Sequence, residues 1–136
     1  MTDEDVPLSV VRKRIRQTQN KFPPPPKDYT YKFLREIYRM RSEFGEPMPA
    51  NVQALLQAEH ATMHHKVQKE YYRVLIELTA DWIDPRLKSR YCNALLFALK
   101  SRVKAKDLIS FMKSQGGINA CDKKYRRMRS VKAHAE

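Results

Sequence analysis

Phe33, Ile37, Met40 and Phe44 fall at i, i+4, i+7 and i+11, a spacing that stacks four apolar side chains on one face of an α-helix. Leu34 and Tyr38 widen that stripe, and Lys32, Arg35, Arg39 and Arg41 lie largely around its other sides. Asp28 or Thr30 can cap this helix and Gly45 can stop it. A second helical pattern runs from about Asn51 to Ile83, with Val52, Leu56, Met63, Val67, Val74 and Leu78 on one face and Leu55, Tyr71, Leu75 and Trp82 on the next. Unbroken, it would form a rod of about 50 Å at ~1.5 Å per residue, so a break is expected near Thr62 to His65, where apolar density falls.

Asp84-Pro85 supplies a cap and a first-turn proline for the next helix. Its Leu87, Tyr91, Ala94, Leu95 and Ala98 share a side, flanked by Cys92, Leu96, Leu99 and Val103, an apolar arc wide enough for the centre of a bundle. Leu108, Ile109, Phe111 and Met112 mark a shorter helix that ends at Gly116-Gly117. Upstream, Leu8, Val11 and Ile15 give a short amphipathic segment that needs a partner or the body of the protein to order it. Pro23 to Pro26 then enforce a stiff polyproline II spacer, a form that proline-reading domains also bind. From Ile118 onward large apolar residues thin out, leaving either a basic helix ordered by its target or a tail. The predicted fold class is all-α: a small helical bundle of four to five helices at 28–117, with a Pro-rich N-terminal arm at 1–27 and a basic C-terminal tail at 118–136.

Composition sharpens this picture in one respect. With 42% hydrophobic residues and only three glycines, the 136-residue chain reads as one helical globular body. Its net charge of +12 is unevenly spread: residues 1–85 hold 13 basic and 12 acidic side chains, whereas 86–136 hold 14 basic and three acidic ones. Such asymmetry points to a polyanionic partner, although an inert solvated face would carry the same signature. Thirteen of these cations form the candidate contact set: Arg86, Lys88 and Arg90, then Lys100, Arg102, Lys104 and Lys106, then Lys123, Lys124, Arg126, Arg127, Arg129 and Lys132. Lys and Arg displace the counterions condensed on phosphates, and Tyr125 among the arginines can stack on an unpaired base. With one aromatic in the basic tail, backbone or shape recognition is expected in preference to sequence reading.

Other chemistry finds little footing. His60 and His64 lie at i, i+4, but no third ligand is spaced to complete a zinc site with them, so no metal is expected. No nucleophile signature and no phosphate-cradling glycine loop occurs, so the reading is non-enzymatic and without cofactor. Cys92 and Cys121 form no framework, which suits a reducing intracellular compartment: cytoplasm or nucleus, with the mitochondrion as the alternative. "MTDEDVPL" shows no secretory signal, and no apolar run is long enough to span a membrane.

"FLREIYRMRSEF" resembles the motif of the LYR family of small mitochondrial helical proteins. Ile37-Tyr38-Arg39 stand for Leu-Tyr-Arg and Phe44 for the downstream Phe, with Ile in place of Leu and a tetraproline ahead of the motif. The resemblance implies a basic helical bundle that binds the mitochondrial acyl carrier protein and assists assembly of a respiratory, iron–sulfur or ribosomal complex. Two expectations therefore stand side by side. One is a nucleic-acid binder, RNA before DNA, acting as a ribonucleoprotein subunit or a virus-encoded RNA binder. The other is a scaffold or assembly subunit of a multi-protein complex whose cations meet acidic protein surfaces.

Overall fold

The computed structural model describes residues 7–23, 29–45, 47–59 and 71–135. Among them are seven α-helices and no strand: α1 (Leu8–Lys21), α2 (Thr30–Phe44), α3 (Ala50–Glu59), α4 (Tyr71–Thr79), α5 (Pro85–Lys100), α6 (Leu108–Ser114) and α7 (Ile118–Ala135). They fall into two compact units, one ending at Ile83 and the other beginning at Asp84. The all-helical class is as expected, but the helix count is higher than four to five.

One added helix is α1, part of the expected N-terminal arm. Val11, Ile15, Thr18 and Phe22 fall at i, i+4, i+7 and i+11 and are all buried, so the stripe continues past Ile15 through a threonine that sequence polarity disguised. Thr18 Oγ1 donates to the Arg14 carbonyl at 3.0 Å and accepts from Arg14 Nη1 at 3.1 Å, which removes the penalty of burying a hydroxyl. α1 packs on α2, α3 and α4. Phe22 meets Tyr29 and Phe33 edge-on, with ring centroids 5.0 and 5.6 Å apart. Pro24 to Pro26 and Asp28 lie outside the described residues.

In α2 all six expected stripe residues are buried. The chain turns at Gly45, whose φ of +123° is foreign to L side chains and where a Cβ would sit 2.7 Å from Pro49 Cδ. The Gly45 carbonyl accepts from Tyr71 Oη at 3.0 Å, tying this turn to α4. Arg41 lies over the rings of Tyr71 and Tyr72, 4.9 and 4.7 Å from their centroids, so this cation is used internally.

The long pattern after Asn51 appears as α3 and α4; the expected break, Met63, Val67 and all three histidines from His60 to His65 lie outside the described residues. α4 stops at Thr79, four residues short of the expected end. Thr79 Oγ1 donates back to the Leu75 carbonyl at 2.7 Å, and Asp84 must be extended (ψ 137°) because Pro85 follows it.

Asp84 then caps α5, its Oδ1 accepting from the Arg86 amide at 2.7 Å. Tyr91, Cys92, Ala94, Leu95 and Ala98 are buried on α5, and Leu108 and Met112 on α6. α5 and α7 form the main packing pair of this unit. Residues 118–135, expected as a tail or a partner-ordered helix, are helical and seat Cys121 and Asp122 in the unit's interior. Ile118, Cys121 and Tyr125 carry the helical spacing that marks this face, faint because two of the three are not aliphatic. No described helix is long and apolar enough to cross a membrane.

Candidate nucleic-acid interface

Three arginines of the first unit are ion-paired within it. Arg14 donates to Glu36 and Glu43 at 2.9 Å each, Arg39 to Glu36 at 2.9 Å, and Arg73 to Glu77 at 3.0 Å. The second unit leaves more of its cations exposed. Arg86, Arg90, Lys100, Arg102, Lys104, Lys106, Lys123, Arg127 and Arg129 are exposed and make no ion pair with a described carboxylate. Asp122 is turned inward, 4% exposed, where Asn93 Nδ2 donates to it at 2.8 Å and Arg126 Nη2 at 3.1 Å. Asp122 offsets Arg126, and the unpaired cations around it keep the exterior positive.

The structure sorts the expected site residues. Lys88 is buried on α5, which removes it from a surface that could meet phosphate directly. Lys124 is half-buried, its Nζ donating to Gln115 Oε1 at 2.6 Å, so it serves the end of α6. Arg126 is shared between Asp122 and solvent, its side chain 60% exposed. Tyr125 is half-buried, with the Arg129 guanidinium 6.0 Å from its ring centroid. Residues 126–130 are exposed on every side of α7. Only the helix backbone is described at Lys132.

A second cluster was grouped in the sequence only as charge. Arg102, Lys104 and Lys106 line an open groove of about 640 Å³ with Asp107, Ser110 and Phe111. Its rim is shaped by an unusual helix end. The Val103 amide donates to the Ala98 carbonyl at 3.1 Å and the Arg102 amide to Leu99 at 3.0 Å, a Schellman closure with Arg102 at the left-handed position, φ +58°. α6 closes in the same way, the Gly117 amide donating to Met112 and the Gly116 amide to Lys113, but with Gly116 at the left-handed position. The glycine absent after α5 is thus replaced by a strained arginine at the groove. Left-handed backbone costs an L-residue about 1–2 kcal/mol, of which glycine's larger unfolded-state entropy cancels about 0.5–1. Arg102→Gly is therefore expected to raise the melting temperature by roughly 2 °C. A lower melting temperature would show that the arginine side chain stabilises more than its backbone strains.

Among the described residues no group of three His, Cys, Asp or Glu gathers to hold a metal ion. Cys92 and Cys121 are free and buried. Burial pushes the Cys121 thiol above its ordinary range against the smaller opposing charge of Lys124, which keeps it protonated. The LYR-like residues Ile37, Tyr38 and Phe44 are core side chains of the first unit, and Arg39 pairs with Glu36. No family model, no curated protein and no solved structure matches the chain.

Proposed function

We propose that this chain is a non-enzymatic nucleic-acid-binding protein, RNA before DNA, that meets phosphates through the exposed cations of residues 84–136 and serves as a subunit of a ribonucleoprotein. One observation carries this reading. Among the described residues, nine exposed cations of the second unit make no ion pair with a carboxylate, and Asp122, which holds Arg126, is buried. Lys88 drops out of the contact set and Lys124 is committed to Gln115, which leaves Lys123, Arg127 and Arg129 on α7 and the α5–α6 cations as the binding groups.

Removing α7 outright would expose Cys121 and the core of the second unit, so the cleaner test changes charge on the surface alone. Full-length protein and a Lys123→Gln/Arg127→Gln/Arg129→Gln variant are titrated against a labelled single-stranded RNA over a salt series. Each phosphate contact on a single strand contributes ~0.7 to the slope of log affinity against log salt. The variant is expected to bind about tenfold more weakly at low salt, with a slope shallower by roughly 2. Identical slopes would refute the phosphate contacts. Failure of the full-length protein to bind RNA or DNA at any salt would favour the alternative, an assembly subunit whose cations meet an acidic protein surface.

A further inference from the structure

We infer that the groove between the end of α5 and α6 is a seat for one unpaired ribonucleotide of a single-stranded RNA, with the base against Phe111 and the flanking phosphates on Arg102, Lys104 and Lys106. The inference rests on the nucleic-acid reading above and assigns a place and a strand state to it.

The groove's lining mixes two chemistries. Arg102, Lys104 and Lys106 are exposed cations. Ser110 and Ser114 add acceptors: Ser110 Oγ donates to the Asp107 carbonyl at 3.0 Å and Ser114 Oγ to the Phe111 carbonyl at 2.6 Å. With their protons committed, both hydroxyl oxygens face incoming groups as acceptors, as does the exposed Asp107 carboxylate. These acceptors suit a hydroxyl or ring N–H, which a ribose 2′-hydroxyl and an unpaired base supply. Phe111 also lines the groove, half-buried, its ring 5.7 Å from Phe97 at 33°. That backing holds the ring in place while leaving it part of the groove wall. A duplex keeps its bases stacked on one another, so only a single strand can offer one to Phe111. The groove's volume suits a nucleotide-sized ligand, and its openness lets the chain continue at both ends. The strain at Arg102 agrees with this. A left-handed arginine survives where glycine would fit more easily, as strained residues at binding sites do.

The test uses full-length protein with labelled oligouridylate, oligothymidylate and an RNA duplex of equal length. Oligouridylate should bind most tightly. Phe111→Leu should weaken it about tenfold, since base–aromatic stacking is worth ~1–3 kcal/mol per base, with the salt slope unchanged because no phosphate contact is lost. Phe111→Tyr, which keeps a stacking face and the packing on Phe97, should bind as the parent does. Lys104→Gln/Lys106→Gln should make the slope shallower by about 1.4. Three results would overturn the assignment: equal binding by Phe111→Leu, equal loss in Phe111→Leu and Phe111→Tyr, or duplex bound as well as single strand. If the groove variants bind normally while the α7 charge variant does not, nucleic-acid binding stands and the groove falls. No binding by the parent protein removes both.

Discussion

Glu36→Gln is expected to destabilise the first unit by about 2–3 kcal/mol at neutral pH, a value that follows from who depends on this carboxylate. Glu36 is 7% exposed and takes Arg14 from α1 on one oxygen and Arg39 from its own helix on the other. Breaking a buried ion pair by deleting one partner costs about 3–5 kcal/mol, because the remaining charge stays desolvated. Here the loss is smaller, since Arg14 keeps Glu43 and Arg39 reaches solvent. Burial pushes the Glu36 carboxyl up, but the charge and hydrogen bond of Arg14, with the charge of Lys21 and the hydrogen bond of Arg39, outweigh it and hold the group below its ordinary range. A lowered carboxyl stabilises the folded state above its unfolded-chain pKa of about 4.3 and gives that contribution up as pH falls through the folded value. The difference between parent and Glu36→Gln in urea melts, followed by the fluorescence of Trp82, should therefore be constant near neutrality and shrink below pH ~4. A difference independent of pH would assign the loss to packing.

That same ion-pair cluster shows what the chain spelled out plainly and what it did not. The α2 stripe and the Asp84-Pro85 start of α5 were legible because regular apolar spacing and local capping chemistry act within a few residues. The docking of α1 was not, because it depends on Thr18 satisfying its hydroxyl within its own helix and on Arg14 reaching across 22 and 29 residues to Glu36 and Glu43. Read along the chain, Arg14 is one of several basic residues that repel burial; in three dimensions it is the clamp. The candidate site divided in the same way. Cation excess after residue 85 is visible in the sequence, but its grouping is not. Lys88 and Lys124 are indistinguishable from their neighbours until the fold buries one and spends the other on Gln115. Phe111 looked like a core residue because helical spacing places it beside Leu108 and Met112. The turn at Arg102, which leaves the α5–α6 groove open beside it, carries no glycine to announce it.

Asp122→Ala should loosen the second unit while improving its attraction for RNA, a split that follows from one buried carboxylate with two duties. It accepts from Asn93 on α5 and from Arg126 one turn further along α7, so it fastens the cationic helix to the unit and cancels one positive charge there. Hydrogen bonds to a charged group are worth about 1.5–3 kcal/mol, and the alanine variant loses both while leaving the Asn93 amide without that acceptor. We expect amide exchange across α7 to quicken about 30-fold, the equivalent of ~2 kcal/mol. Asn93→Ala alone should produce part of the loss, and the double variant should cost less than the sum of the two, as residues sharing one hydrogen bond require. Affinity for single-stranded RNA at low salt, measured where both proteins remain folded, should rise two- to threefold as Arg126 is released and a repelling charge disappears, by roughly 0.5 kcal/mol. Weaker binding by a folded Asp122→Ala protein would mean that the orientation of α7, rather than its charge, governs the encounter. Unchanged exchange would mean that Cys121 and the helix packing around it hold α7 without the polar latch.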